Sequence, residues 1–355
     1  MRDLRTLPKA ELHIHLEGAM RVDTLRELAD RQGLPLPSGL GQDGWTFRDG
    51  GDFIEQYTAM CRLLNDLDDF RRVGHEVSQD LAATGVLYAE AVFSPSNHAA
   101  RLGEDWYGPI EAVLDGLGAG ARAFGAIVQL TPDIVRGEGP VVADRVLEVA
   151  LRFAGHGVVA LNCAGSERPG IEPLEAYFRA AKEAGLGSTP HAGEWAGPQN
   201  VWDTLEAFAP DRIGHGISAA QDPALMRAIA DRGVVLDLAP LSNVATAAVP
   251  SLAEHPFPRL RDAGVVVTLN SDDPPMFGDA WLTDVYAAAA GAWQLTDAEL
   301  AGIARAGVRA SFADVATKVE LERGIDAWLA TPAHMAAGSA EVPRDAAEGP
   351  RGTGR

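Results

Sequence analysis

Cysteine is nearly absent from this chain. Cys61 and Cys163 are the only two among 355 residues, too few and too far apart for a disulfide framework, and no C-x-x-C pair exists. Long apolar runs are missing too, since no stretch approaches the ~18 uninterrupted apolar residues of a membrane span. The first residues, Met1-Arg-Asp-Leu-Arg5, lack the apolar core of a secretion signal, and the expectation is a cytoplasmic protein. Positive charge is in deficit. With 30 Lys and Arg against 50 Asp and Glu the formal charge is −20, so nucleic acid or an anionic membrane is repelled rather than bound. Lysine itself occurs only as Lys9, Lys182 and Lys318. What remains, 46% hydrophobic and 23% charged residues, is the composition of a soluble globular protein whose partner is a small molecule.

The strongest pattern lies near the start, in Ala10-Glu-Leu-His-Ile-His-Leu-Glu-Gly18. Alternate side chains of a β-strand share a face, so His13 and His15 point one way and Leu12, Ile14 and Leu16 the other. Neighbouring imidazoles suit zinc or a similar divalent metal, which in a catalytic site takes about two more protein ligands and keeps one position open. An isolated His-x-His is more often two polar residues facing solvent, so the rest of the chain decides between the readings.

Beyond that strand, apolar periodicity predicts helices over 21–33, 53–64 and 70–84, the last capped by Asp68 or Asp69. So long an excursion is placed to cover a site above the first strand. From Val86 the chain alternates. Strands are expected at 86–93, 125–131, 157–163, 186–191, 212–215, 234–238 and 265–270, with helices at 108–123, 140–154, 172–184, 198–207, 222–231 and 251–262. Counting the first, eight short buried strands alternating with amphipathic helices argue for a closed α/β fold, the (β/α)8 TIM barrel. Additional helices lie after the first strand and, over 281–291, 297–310 and 313–329, at the C-terminal end. The expected organisation is one domain over residues 1–335. An unordered tail follows over 336–355, rich in Ala, Gly, Pro and charge.

In a barrel of this kind chemistry gathers at the C-terminal ends of the strands. The first strand ends in His13 and His15, the fifth in His191-Ala-Gly-Glu194, the sixth in Gly214-His215-Gly216 and the eighth in Ser271-Asp272-Asp273-Pro274. His13, His15, His191 and Asp272 make a ligand set of three neutral nitrogens and one carboxylate, with room for a water that the metal acidifies. Each has a plainer role when taken alone, His191 as a satisfied core histidine and Asp272 as an N-cap. Structural histidines, however, have no reason to collect at one end of a barrel. Glu194 is then placed as general acid, because burial beside substrate favours the protonated carboxyl; alone it reads as a cap near Pro198. His215 is placed to orient the metal-bound water and take its proton, or else packs against a helix. Asp273 is a candidate substrate acceptor, or a turn residue before Pro274-Pro275.

Together, Leu12-His-Ile-His-Leu-Glu-Gly18, His191-Ala-Gly-Glu194, Arg212-Ile-Gly-His-Gly216 and Leu269-Asn-Ser-Asp-Asp-Pro274 resemble the signatures of the adenosine deaminase family of the amidohydrolase superfamily. The resemblance spans about residues 7–330. It implies a hydrolase with one zinc ion per chain that replaces a purine 6-amino group with oxygen. It also implies that His13, His15, His191 and Asp272 bind the metal and that Glu194, His215 and Asp272 form the catalytic set. Glu194 would protonate the ring nitrogen beside the attacked carbon, and His215 would position the hydroxide. On the substrate side, Asp273 would accept from the opposite ring nitrogen and the Gly165 N–H would donate to the remaining one. His15 and Glu17 complete that side, Glu17 at a position associated with the sugar.

The departures from the family pattern concern substrate. Glu17 stands where adenosine deaminases commonly have Asp, Ala239-Pro-Leu-Ser-Asn243 where Cys-Pro-Thr-Ser-Asn is usual, and Ser166-Glu167 where an acidic pair is familiar. Gly197-Pro-Gln-Asn-Val-Trp202 and Asn270-Ser-Asp-Asp-Pro-Pro-Met-Phe-Gly278 are similar to bacterial relatives that deaminate 6-amino-6-deoxyfutalosine in menaquinone synthesis. The leading expectation is deamination of adenosine or deoxyadenosine. The alternatives are 6-amino-6-deoxyfutalosine, adenine or an N6-substituted purine. A two-metal amidohydrolase would need a carboxylated lysine at a mid-barrel strand end, where none of the three lysines lies. A cytidine deaminase would show P-C-x-x-C. A non-catalytic barrel that binds a purine or a metal would lack an acid, a base or a ligand, and all are present.

Overall fold

Strand β1 is Lys9–His15, and all seven of its residues are buried. A strand meets protein on both faces when helices cover one and a barrel interior the other. The structure, a computed structural model, describes residues 1–168 and 174–332; the tail expected over 336–355 lies outside the described residues. Seven further strands follow: β2 (Val86–Phe93), β3 (Ile127–Val135), β4 (Ala160–Ala164), β5 in two pieces (Gly187–Ser188 and His191–Ala192), β6 (Arg212–His215), β7 (Val235–Leu238) and β8 (Val266–Leu269). Each pairs in parallel with the next, the two pieces of β5 serving β4 and β6 respectively. A parallel bridge between Ile14 and Asp272 joins the far side of β8 to β1. There the His15 N–H donates to the Asp272 carbonyl at 2.9 Å, and the Asp272 N–H donates to that of His13 at 3.1 Å. The fold is the (β/α)8 barrel that the alternation predicts.

Between β1 and β2 lie helices α1 (Val22–Gln32), α2 (Gly50–Cys61) and α3 (Leu67–Ala83). The cap of α3 is Asp66, whose side chain accepts the Asp68 N–H. Asp68 and Asp69, expected as caps, sit instead in the first turn, where a carboxylate favours the helix dipole. A short antiparallel ladder, Leu40–Gly41 with Gly44–Trp45, links α1 to α2.

Strand β3 outruns its expected end at Thr131. Pro132 removes one N–H, but at that point the strand changes neighbour, from β2 on one side (Pro132 opposite Phe93) to β4 on the other (Asp133 opposite Asn162). A helix at Pro240–Ala245 was not expected from the sequence, and the one expected over 251–262 shortens to Phe257–Asp262, starting at Pro256. Inside the barrel Arg212 is 1% exposed. Its guanidinium pairs with Glu90 on β2 at 2.5 Å and Asp237 on β7 at 2.8 Å, so the charge is buried but matched. The arginine of the Arg-Ile-Gly-His motif thus braces three strands.

Candidate active site

At the C-terminal mouth of the barrel, His13, His15 and Asp272 bring ligand atoms within 4.8 Å of one another, as do His13, His191 and His215. The Nε2 atoms of His13 and His15 each lie 3.3 Å from Asp272 Oδ1, and those of His15 and His191 are 3.2 Å apart. His13 Nε2 is buried with no hydrogen-bond partner. His191 Nδ1 faces Asn162 Oδ1 at 3.0 Å, which places the ring proton there and leaves the Nε2 lone pair facing the cluster. Asp272 Oδ2 accepts from the Ser242 hydroxyl at 2.7 Å.

Burial pushes His15 down to about 4 and His191 well below its ordinary value. Burial and Asp272 pull His13 in opposite senses, with a net rise. Burial would raise Asp272, but the surrounding imidazoles hold it well below the usual carboxylate range. Clustered imidazole nitrogens beside an ionised carboxylate, one nitrogen otherwise unmatched, could hold a zinc-like divalent cation. The local backbone is bent to make this. Asp272 and His215 have φ of 67° and 62°, a left-handed conformation that costs a non-glycine residue about 1–3 kcal/mol. At Gly214 a Cβ would come within 3.0 Å of the His13 ring and 3.3 Å of the His191 ring, so a side chain there would push both rings aside by a few tenths of an ångström.

Beside the cluster, Glu194 and His215 are tied into one hydrogen-bond chain. The Phe257 N–H donates to His255 Nδ1 at 3.1 Å, so the His255 proton is on Nε2, which faces Asn243 Oδ1 at 3.2 Å. The Asn243 NH2 therefore points inward, 3.2 Å from Glu194 Oε1 and 3.1 Å from His215 Nδ1. His215 accepts at Nδ1 and carries its own proton on Nε2, which lies 3.5 Å from Glu194 Oε2 and 3.8 Å from Asp272 Oδ2. Burial, reinforced by the charge of Asp272, pushes Glu194 well above the ordinary carboxylate range. Since Oε1 is the atom that accepts from Asn243, the proton belongs on Oε2. Glu167 holds this loop by accepting the Glu194 N–H at 3.0 Å and the Ala196 N–H at 2.5 Å.

A cavity of ≈ 80 Å³ adjoins the cluster over β1 to β4, with His15, Asp133, Gly165 and Asp273 in its wall and Phe53 and Tyr57 of α2 over it. The excursion after β1 does cover the site. Both carboxyl oxygens of Asp273 are buried without partners, and burial next to Asp272 pushes its pKa well above the usual range. A Cβ on Gly18 would overlap Asp273 Oδ1 at 1.6 Å. Glu17 is fully buried but is not among the residues lining the cavity. Asn162, Ser242, Asn243, His255 and Asp133 were not singled out in the sequence. Ser242 and Asn243 had a signal there, as the last two residues of Ala239-Pro-Leu-Ser-Asn243.

The adenosine deaminase family model matches residues 8–328. An aminodeoxyfutalosine deaminase of Streptomyces avermitilis is 39% identical over 346 residues, covering 93% of this chain and 95% of that one. Among solved structures, an adenine deaminase from Arthrobacter aurescens superposes with a TM-score of 0.83 at 29% identity, over 91% of this chain and 99% of that one. An amidohydrolase from Burkholderia ambifaria with bound zinc superposes with a TM-score of 0.82 at 26% identity, over 92% and 94% of the two chains. With the barrel, the histidine and aspartate cluster and these matches in agreement, the chain belongs to the adenosine deaminase family.

Proposed function

We propose that this protein is a zinc-dependent deaminase of 6-aminopurines and that its substrate is 6-amino-6-deoxyfutalosine. The observation that carries the substrate is the 39% identity, over nearly the full length of both chains, to the Streptomyces aminodeoxyfutalosine deaminase. Adenosine, the leading expectation from the sequence, has no such specific support. Adenine is the second reading, favoured by the structural match to the Arthrobacter adenine deaminase.

His13, His15, His191 and Asp272 are the residues that would hold the metal. Zinc held there would lower the pKa of a water toward neutrality and so supply a nucleophile. Protonated Glu194 gives its proton from Oε2 to the ring nitrogen beside C6, which makes that carbon electrophilic. His215, with its proton on Nε2, donates to the attacking oxygen and fixes its line of approach; the hydrogen-bond chain through Asn243 favours this orienting role over proton removal. Asp273 and the Gly165 N–H hold the opposite edge of the purine. As the water oxygen bonds to C6, one of its protons passes to Asp272 and from there to the 6-amino group; ammonia leaves as the C–N bond breaks, and the remaining hydroxyl proton returns to Glu194.

The test is an ultraviolet assay of zinc-loaded protein with 6-amino-6-deoxyfutalosine, adenosine, 2′-deoxyadenosine and adenine, with ammonia release measured in parallel. The expected result is a kcat/KM for 6-amino-6-deoxyfutalosine at least about tenfold above the others. Preference for adenine would replace the substrate reading. Inactivity on all four in metal-loaded protein would remove it.

A further inference from the structure

Asp133 is a buried acid for which the chemistry above has no use. It stands just past Pro132, on the part of β3 that has turned to pair with β4, and its side chain lines the same cavity as His15, Gly165 and Asp273. Asp133 is 1% exposed, and its Oδ1 is buried with no hydrogen-bond partner. Buried polar atoms are nearly always matched, so an unmatched oxygen in a cavity wall calls for a ligand.

Glu17, the acid expected near the sugar, is already engaged. One of its oxygens accepts the Ser94 N–H at 3.0 Å and faces His98 Nε2 at 2.9 Å; the other accepts the Tyr57 hydroxyl at 3.2 Å. Glu17, expected toward the substrate, is thus engaged in the wall, while Asp133 faces the cavity. The acid from the motif buttresses the wall, and the acid outside any motif is open to the cavity.

We propose that Asp133 is the specificity residue for the substituent on the purine, its carboxyl pairing with a hydroxyl of a glycosyl group. The preferred ligand is then a nucleoside-type 6-aminopurine rather than the free base. This rests on the deaminase reading and concerns the part of the substrate that Glu194, Asp273 and Gly165 leave untouched. The cavity chemistry favours a neutral hydroxylated group over a phosphate. Two acids and no Lys or Arg line it among the described residues, and Phe53, Ile54 and Tyr57 supply apolar and aromatic surface. Burial, with the help of Glu17 and Glu138, pushes the Asp133 carboxyl well above its ordinary range. A carboxyl shares a hydrogen bond with a hydroxyl in either protonation state.

The test is calorimetric titration of zinc-loaded protein with hypoxanthine, inosine and the 2′-, 3′- and 5′-deoxyinosines, in wild type and Asp133→Asn. Inosine is expected to bind at least about tenfold tighter than hypoxanthine, and at least one deoxyinosine should lose most of that gain. Asp133→Asn should lower the inosine-to-hypoxanthine affinity ratio by about tenfold. Wild type that binds inosine no better than hypoxanthine, or all three deoxyinosines as well as inosine, overturns the proposal. So does an unchanged ratio in the variant. The wild-type series decides even if Asp133→Asn does not fold. Failure of the deaminase reading would show separately, as absence of ammonia release from every aminopurine.

Discussion

The His255 ring donates from Nε2 to the Asn243 side-chain oxygen at 3.2 Å, and this contact fixes which end of the amide faces Glu194 and His215. Turned over, the amide would set an oxygen against His215 Nδ1, moving the imidazole proton to the wrong nitrogen for a donor at Nε2. His255→Phe keeps a ring against Trp293, whose centroid is 5.7 Å away, but removes the donor. The expected result is a fall in kcat of about tenfold, the equivalent of one well-placed hydrogen bond, with zinc content intact and KM little changed. Steady-state kinetics beside elemental analysis checks this, and an unaltered kcat would show that other contacts hold the amide.

Glu194→Gln preserves the shape of the side chain and removes the acid proton. Turnover should drop by about 10²- to 10⁴-fold while the protein still binds zinc and product. A variant that turns over at nearly the wild-type rate would end the role assigned to Glu194.

Asp272 carries the one carboxylate among four proposed ligands. Asp272→Ala should reduce zinc below one per chain by elemental analysis, and dialysis of the wild type against a chelator should abolish turnover and lower Tm, because a ligand that binds only the folded state stabilises it. Full zinc stoichiometry in Asp272→Ala would take that residue out of the ligand set.

Lys9, at the opposite end of β1, gives a pH signature independent of the metal. Its amine is buried and donates to the Leu4 and Leu7 carbonyls at 2.6 and 2.8 Å; burial lowers its pKa from 10.5 to about 7. Between pH 7 and 10.5 the unfolded chain thus binds a proton that the folded chain does not, so this group makes stability rise with pH across that window. Below about pH 7 both states are charged and the full penalty of burial is present. Lys9→Met should remove the rise. Urea midpoints at pH 6.5 and 9.5 measure it: wild type is expected to gain on the variant by a few kcal/mol toward high pH, and parallel profiles would refute the shift.

Much of this site was legible because its reactive groups are His, Glu and Asp at the ends of predicted strands. Alternation located β1, β5, β6 and β8, and their last residues are the ones gathered at the mouth. What stayed hidden is of two kinds. Asn162, Ser242, Asn243 and His255 act by orienting other side chains, and an amide or hydroxyl in a sequence does not reveal which neighbour it faces. Asp133 was lost to Pro132, which reads as the end of a strand; only the change of pairing partner shows how β3 continues past it. Arg212 shares a motif with His215 but lies at the opposite end of β6, where its guanidinium binds Glu90 and Asp237 inside the barrel.

The seam between β8 and β1 ties closure of the ring to assembly of the cluster. The backbone bonds that join the two strands are made by His13, His15 and Asp272, whose side chains belong to the histidine and aspartate cluster. A nascent chain that has not yet synthesised β8 has neither the seam nor the fourth donor. Contacts between the two ends of a chain are slow to form, so a metal ion held by all four proposed ligands would mark a ring that has closed and would stabilise it over any open precursor.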